Sequence, residues 1–163
     1  MALSEVLPRL RMATVTRAEI SGRFDLDQVT YDRLIAHARS DTPYEVCGLL
    51  AGENGAFRKL YEIPNAARSM TYYQMDPKAM LAAFNEIDDN DWDLQAIYHS
   101  HTHTEAFPSP TDRELAFYPD AVYLIVSLQA EDAPVIRAFN IVDGQVTERE
   151  LFVDGVPAPT GPQ

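Results

Sequence analysis

The chain has 163 residues, of which 46% are hydrophobic and 23% are charged, as is typical of one soluble globular domain with a buried core. Its formal net charge of -12 argues against a nucleic-acid-binding protein, because such proteins neutralise phosphates with clustered lysine and arginine. The same acidity disfavours binding to an anionic membrane surface.

The single cysteine, Cys47, cannot form a disulfide within the chain and fits a reducing compartment. The N-terminal sequence alternates charged residues with short apolar pieces, so it lacks the continuous apolar segment of a signal peptide. No segment approaches the roughly 18 apolar residues that a membrane span requires. The sequence therefore predicts a cytoplasmic protein.

Residues 1–25 are interpreted as either an N-terminal arm or a first strand, with residues 12–20 as the candidate strand. Residues 26–40 are predicted to form a helix, because apolar residues recur there at helical spacing. The residues with this spacing are Leu26, Val29, Leu34 and Ala38. The helix is predicted to end at the Asp-Thr-Pro sequence 41–43, since the residue before a proline disfavours helical backbone angles.

A β-hairpin and a second helix are predicted next. Residues 46–51 and 57–63 form the two strands, joined by an Asn-Gly turn. Residues 71–75 are expected to be extended. The helix at 76–87 begins with an Asp-Pro pair that suits an N-cap and the first helical position. The side chains that it is expected to bury are Met80, Leu81, Phe84 and Ile87.

The C-terminal half is predicted to contain one short helix and four strands. The helix spans residues 110–117, and the strands span residues 94–98, 121–128, 134–142 and 145–153. The tail 154–163 has three prolines and two glycines and is predicted to be flexible. Helices interspersed among mostly hairpin-linked strands predict a single α/β domain with a mixed, mostly antiparallel sheet and flanking helices.

Two histidines and one aspartate carry the strongest chemical signal. His99 and His101 are two positions apart at the end of a predicted strand, so both imidazoles point to the same side. Asp112 follows eleven residues after His101, across a loop long enough to return its carboxylate to the same point. Two imidazole nitrogens and one carboxylate oxygen form a ligand set for a divalent metal, above all Zn²⁺, with the fourth position left for water.

Glu45 and Ser109 are the candidate catalytic residues. Glu45 lies where a predicted central strand begins, and it is a candidate base for a proton of the attacking water. The Ser109 hydroxyl is a candidate donor to the oxyanion of a tetrahedral intermediate. Simpler interpretations stay open: Glu45 as a solvated loop residue, and Ser109 with Asp112 as a helix capping box that has Pro110 at the first helical position.

Three other residues with reactive side chains have structural interpretations. His103 is predicted to be a loop residue near the site, although a histidine-rich tract can itself bind metal. His37 is predicted to lie on the exposed face of the first helix. Cys47 is predicted to be a small buried packing residue, because nothing in its surroundings indicates a lowered thiol pKa.

These residues together resemble the motif of the JAMM (MPN-plus) metalloprotease family, which is an upstream Glu, H-[ST]-H, seven residues and S-x-x-D. Glu45, His99-Ser100-His101 and the sequence from Ser109 to Asp112 match it in residue type and spacing. The resemblance implies a cytidine-deaminase-like fold over residues 26–153.

The resemblance also implies roles for the matched residues. His99, His101 and Asp112 would hold Zn²⁺, Glu45 would accept a proton from water and return it to the departing amine, and Ser109 would help to stabilise the oxyanion.

The segments PYEVCGLLAG, IPNAARS and PDAVYLIVSL are similar to small bacterial members, the Mec-type sulfur-carrier-protein hydrolases. Their substrate is a ubiquitin-like carrier that ends in Gly-Gly and bears cysteine. The resemblance thus implies a peptidase that cleaves after Gly-Gly and releases cysteine or another attached amine. His103 stands where this subgroup is expected to have a small residue.

Several alternatives stay open at this point. Removal of a ubiquitin-like modifier from proteins, as desampylases and deubiquitinases perform it, is one, although the long ubiquitin-gripping insertions of eukaryotic members are missing. A non-catalytic MPN scaffold, a hydrolase of small amides and a DNA-associated RadC-type relative are others, and the net charge of -12 opposes the last. The sequence does not name the carrier or fix the oligomeric state, a homodimer included.

Overall fold

The computed structural model describes residues 22–161, so the candidate strand at 12–20 lies outside the described residues. The strands are β1 (Arg23–Leu26), β2 (Cys47–Glu53), β3 (Ala56–Ile63), β4 (Asp93–His101), β5 (Val122–Ser127), β6 (Val135–Val142), β7 (Gln145–Val153) and β8 (Val156–Pro157). The helices are α1 (Gln28–Ser40), α2 (Pro77–Asp89) and α3 (Pro110–Glu114). None of the helices in this range is long and apolar enough to cross a membrane.

All of these strands belong to one mixed sheet. Its order is β1-β7-β6-β5-β4-β2-β3, and β8 pairs with β7. The β4–β5 and β1–β7 pairs are parallel, whereas the other pairs are antiparallel. The predicted α/β architecture, with a mostly antiparallel sheet and flanking helices, is confirmed.

Strand β4 runs through the middle of the sheet, between β2 and β5. Its residue His99 is in register with Cys47 of β2 and Ile125 of β5. Because side chains alternate along a strand, Tyr98 joins the apolar cluster that α1 covers, whereas Ile97 joins the cluster that α2 covers. His99 therefore projects from the face of the sheet that α2 covers.

Helix α1 begins later than predicted. Leu34 and Ala38 are buried as predicted, but the buried face differs in the first turn. Leu26 belongs to β1, and Asp27 is the N-cap, whose carboxylate accepts a hydrogen bond from the Thr30 amide at 2.6 Å. Val29 is 71% exposed, so the predicted apolar stripe was wrong at its start. The residues that α1 buries are Thr30, Tyr31, Leu34 and Ala38. Because Thr30 and Tyr31 carry polar groups, the hydrophobic pattern of the sequence did not indicate that they are buried.

Two expectations around α2 also need correction. Leu81 is 41% exposed, and the small side chain of Ala83 is buried in its place beside Phe84 and Ile87. The segment 71–75 does not form a strand. Its one β-type pairing is an isolated bridge between Met75 and Asn65.

The beginning of the tail that was predicted to be flexible is ordered against the sheet. A turn at Asp154 and Gly155, both with positive φ, reverses the chain so that β8 pairs with the end of β7. The Ala158 amide then donates a hydrogen bond to the Leu151 carbonyl at 2.8 Å, and its side chain packs against the core. A high content of proline and glycine therefore marks a tight turn here.

Candidate metal centre

Three side chains that the sequence singled out converge on one point. The Nε2 atoms of His99 and His101 are 3.1 Å apart, and each lies within 3.1 Å of the Asp112 Oδ2 atom. The two histidines come from the end of β4, and the aspartate comes from the first turn of α3. All three residues are almost fully buried.

The orientation of His101 is fixed from behind by the loop that follows it. Its Nδ1 atom lies 2.8 Å from the main-chain oxygen of Glu105. A carbonyl oxygen only accepts, so Nδ1 carries the proton and the lone pair of the neutral ring lies on Nε2. This lone pair points at the Asp112 carboxylate. Two hydrogen-bond acceptors repel each other at this distance unless a proton or a cation lies between them.

The spacing of these atoms fits a small divalent ion. Zinc binds imidazole nitrogen and carboxylate oxygen at about 2.0–2.2 Å, so ligand atoms in a tetrahedral site lie roughly 3.3 Å apart. The separations of 3.0–3.1 Å among the His99, His101 and Asp112 atoms are close to this value. Within residues 22–161, these three form the one group of histidine, cysteine and acidic side chains with such geometry.

The charges of the three groups depend on each other. Burial would raise the pKa of the Asp112 carboxyl, but its hydrogen bonds with His101 and His99 outweigh burial and lower the pKa. Burial lowers the pKa of the His99 ring, against the pull of Asp112. Burial would also lower the pKa of the His101 ring, but its hydrogen bonds with Asp112 and with the Glu105 carbonyl outweigh burial and raise the pKa. The ionised carboxylate and the neutral His99 are the forms that bind metal, and a metal ion would displace the proton from His101.

Glu45 lies beside this cluster, two residues before β2, and it is 3% exposed. Burial raises the pKa of its carboxyl to about 7, with His101 opposing the shift and Asp112 adding to it. Its Oε1 atom is buried and has no hydrogen-bond partner within residues 22–161. The interpretation of Glu45 as a solvated loop residue is therefore wrong.

Ser109 is the N-cap of α3, as the capping-box interpretation predicts. Its Oγ atom accepts a hydrogen bond from the Asp112 amide at 3.0 Å, and its own amide donates to Asp112 Oδ2 at 2.9 Å. The hydroxyl proton of Ser109 is not used in either bond. The cap thus holds the candidate metal ligand Asp112 in place, and the Ser109 hydroxyl can still donate a hydrogen bond to another acceptor.

Two residues at the site were not recognised from the sequence. The Tyr73 ring stacks on the His99 ring with 4.6 Å between centroids and 27° between planes. Asn65 donates a side-chain hydrogen bond to the Glu45 carbonyl at 3.0 Å. Both lie between β3 and α2, and the one sequence signal was the turn-forming Pro-Asn pair that begins this segment.

The remaining reactive residues have structural roles. His103 is exposed, and its Nδ1 atom lies 2.8 Å from the Thr102 hydroxyl, apart from the metal-ligand group. His37 is half-buried and bonded to the Tyr98 hydroxyl at 2.7 Å, so the prediction of a surface histidine was wrong. Cys47 is fully buried as predicted, and burial raises the pKa of its thiol to about 12.

Comparison with protein families supports the resemblance seen in the motif. The model for prokaryotic homologs of the JAB domain matches residues 27–142. The CysO-cysteine peptidase of Mycobacterium tuberculosis is 46% identical over 122 residues, which cover 74% of this chain and 84% of that protein. The desampylase of Haloferax volcanii is 37% identical over 114 residues, which cover 66% of this chain and 82% of that protein.

Solved structures agree with the fold. A solution structure of a protein from Desulfitobacterium hafniense matches with a TM-score of 0.71 and 34% identity, covering 79% of this chain and 91% of that one. A crystal structure of a JAB1/MPN domain protein from Archaeoglobus fulgidus matches with a TM-score of 0.51 and 20% identity, covering 81% and 99%. The second similarity concerns the fold alone.

Proposed function

Because this chain belongs to the prokaryotic JAB family, we propose that it is a zinc-dependent peptidase of a ubiquitin-like sulfur-carrier protein. The bond cleaved is the amide after the carrier's C-terminal Gly-Gly, and the product released is cysteine. The observation that carries the proposal is the approach of His99, His101 and Asp112 to within 3.1 Å of each other, beside a buried glutamate. The substrate class follows from the 46% identity to a CysO-cysteine peptidase.

His99, His101 and Asp112 are the residues that would hold the zinc ion. When bound, zinc would supply Lewis-acid polarisation and would favour ionisation of water near neutral pH. Both histidines would bind through Nε2, and the Glu105 carbonyl would keep the His101 ring in the required tautomer.

Glu45 is the proposed general base and general acid. Its pKa of about 7 lets it take a proton from the attacking water and hold it for the next step. The water oxygen forms a bond to the glycine carbonyl carbon, the carbon–nitrogen bond breaks, and the proton passes from Glu45 to the departing amine. Carrier carboxylate and free cysteine are the products.

Ser109 is the proposed donor to the oxyanion that develops on the glycine carbonyl oxygen. Its Oγ atom is held by the Asp112 amide, so the hydroxyl group is already in place before substrate arrives. A donor that is fixed in advance stabilises the developing charge without a cost for reorientation.

We also propose a cytoplasmic location, which the buried, reduced thiol of Cys47 fits. A cytoplasmic carrier–cysteine conjugate would meet the enzyme there. The net charge of -12 disfavours binding to nucleic acid or to an anionic membrane.

The direct test is cleavage of a purified carrier–cysteine conjugate, followed by mass spectrometry. We expect loss of one cysteine residue from the carrier, inhibition by a chelator and recovery with added Zn²⁺. The control substrates are the same carrier joined through Gly-Gly to a lysine side chain, and an unrelated peptide. Cleavage of the lysine conjugate alone would replace the proposal with removal of a protein modifier, and cleavage of neither conjugate by zinc-loaded enzyme would refute it.

A further inference from the structure

The segment between β3 and α2, residues 64–76, is closed by main-chain hydrogen bonds from Ala66 to Gln74 and from Asp76 to Pro64, and by the side chain of Asn65. The Asn65 amide nitrogen donates to the carbonyls of Glu45 at 3.0 Å and Tyr72 at 3.2 Å. Its amide oxygen accepts from the main-chain nitrogens of Ala67 at 3.1 Å and Gln74 at 3.0 Å. A primary amide has two N–H donors and two oxygen lone pairs, so Asn65 uses its full hydrogen-bonding capacity here.

This segment reaches both halves of the candidate site. The Ser69 carbonyl accepts a hydrogen bond from the Glu45 amide at 2.9 Å, and Asn65 donates to the Glu45 carbonyl. Both main-chain polar groups of Glu45 are therefore bonded to the segment 64–76. Further along, Tyr73 stacks on His99. One ordered segment therefore contacts the proposed base through its backbone and a proposed metal ligand through its ring.

The backbone of Glu45 matters because no side-chain hydrogen bond holds its carboxylate among residues 22–161. The buried Oε1 atom has no hydrogen-bond partner in the described part of the chain. The position of this carboxylate consequently depends on the backbone position and on the packing around the buried side chain. Proton transfer requires heavy atoms within about 2.6–3.2 Å, so a small backbone shift would take Glu45 out of reach.

We propose that Asn65 is a positioning residue for catalysis. By closing the segment 64–76, it fixes the backbone of Glu45 relative to His99, on which Tyr73 of the same segment stacks. The inference rests on the proposed function. Asn65 contacts neither substrate nor metal in this role. Its four hydrogen bonds are the means by which it acts.

Two substitutions remove different parts of the Asn65 hydrogen-bond set. Asn65→Asp retains an oxygen acceptor for Ala67 and Gln74 but loses the two donors, and it places a carboxylate against the Glu45 carbonyl. Asn65→Ala loses all four bonds. Asn90→Ala is the matched control, because the Asn90 amide also donates to a carbonyl, that of Glu86 at 2.8 Å, at the exposed end of α2.

The test combines kinetics on the carrier–cysteine conjugate with amide hydrogen exchange on the zinc-loaded proteins. We expect both Asn65 variants to lower kcat by roughly 10- to 100-fold, since a misplacement of about 1 Å has effects of this order. We expect KM to change by less than about threefold, because substrate binding is not the function assigned to Asn65. Zinc content should stay at one ion per chain, and exchange of the Glu45 amide should become faster without a general loss of protection.

The outcomes distinguish this inference from the proposed function. If the native enzyme does not cleave the conjugate, the proposed function fails, whereas the exchange measurement still tests how Asn65 orders Glu45. If the native enzyme is active and Asn65→Asp retains its kcat, the positioning role is refuted. A uniform loss of protection in both Asn65 variants, with an equal loss in Asn90→Ala, would show a general stability effect and would also refute it.

Discussion

Ser109 and Asp112 bond to each other twice, through the Asp112 amide to Ser109 Oγ at 3.0 Å and through the Ser109 amide to Asp112 Oδ2 at 2.9 Å. The same Oδ2 atom lies 3.0 Å from His101 Nε2. The N-cap of α3 and the candidate metal centre therefore share an oxygen atom. A change in the cap is also a change in the surroundings of the ion.

Ser109→Ala should accordingly affect both stability and turnover. Loss of an N-cap hydroxyl costs about 0.5–2 kcal/mol of unfolding free energy. Loss of an oxyanion donor lowers kcat by about 10²- to 10³-fold. Urea unfolding and single-turnover kinetics measure the two effects separately.

Asp27→Ala is the matched control, because Asp27 caps α1 through a hydrogen bond from the Thr30 amide. A similar loss of stability with unchanged kcat is expected for this variant. If Ser109→Ala behaves in the same way as Asp27→Ala, Ser109 is a cap and nothing more.

Glu45→Gln should remove turnover while leaving metal binding in place. The amide cannot accept the proton of water, and general-base catalysis contributes about 10²- to 10⁴-fold to rates. Elemental analysis should still find one zinc ion per chain, because Glu45 is not in the group formed by His99, His101 and Asp112. Full activity of this variant would exclude Glu45 from the mechanism.

In the metal-free protein, Glu45 should lower the free energy of unfolding by an amount that depends on pH. Burial raises the pKa of this carboxyl to about 7, whereas a glutamate in an unfolded chain titrates near ~4.3. Between these values the folded state binds more protons than the unfolded state, so the Glu45 contribution to stability falls as pH rises. Glu45→Gln should therefore raise Tm relative to the native chain at pH 8, and by less at pH 5.

Chelator-treated protein at both pH values gives the comparison by thermal unfolding. An equal Tm difference at pH 5 and pH 8 would mean that Glu45 is not buried in its ionised form.

Zinc should stabilise the folded protein through His99, His101 and Asp112. A ligand at 100 times its Kd adds about 2.7 kcal/mol to the unfolding free energy. Alanine at any of these three positions should abolish the zinc-dependent rise in Tm. His103→Ala is the matched histidine control and should retain it, because His103 is exposed and bonded to Thr102. A loss of the zinc response in His103→Ala would place a fourth side chain at the centre.

The converging residues could be predicted from the sequence, because strand alternation, the length of the loop after His101 and the spacing of the matched motif all indicate them. Alternation along a strand puts His99 and His101 on one side, and the cap sequence places Asp112 in the first turn of a helix. The buried face of α1 was harder to predict. Val29 is apolar but 71% exposed, and Thr30 is polar but buried, so tertiary packing overrides the hydrophobic pattern.

The roles of Asn65 and Tyr73 could not be read from the sequence for a different reason. Each acts on a residue more than 15 positions away, through a hydrogen bond to Glu45 or a ring stack on His99. Neither contact leaves a periodic signal in the chain. The segment that begins at Asp154 is likewise ordered by a turn and by the pairing of β8 with β7. The amino-acid composition of the segment reveals neither feature.

The position of β4 has a consequence for the choice of metal. His99 and His101 lie in β4, which pairs with β2 on one side and with β5 on the other. Widening the gap between the two rings would mean deforming the middle of an eight-stranded sheet. Calcium needs six to eight oxygen ligands at longer bonds, and magnesium needs six in an octahedron. A site with two imidazole nitrogens and one carboxylate oxygen therefore suits a tetrahedral metal better than it suits the alkaline-earth ions, which prefer oxygen ligands.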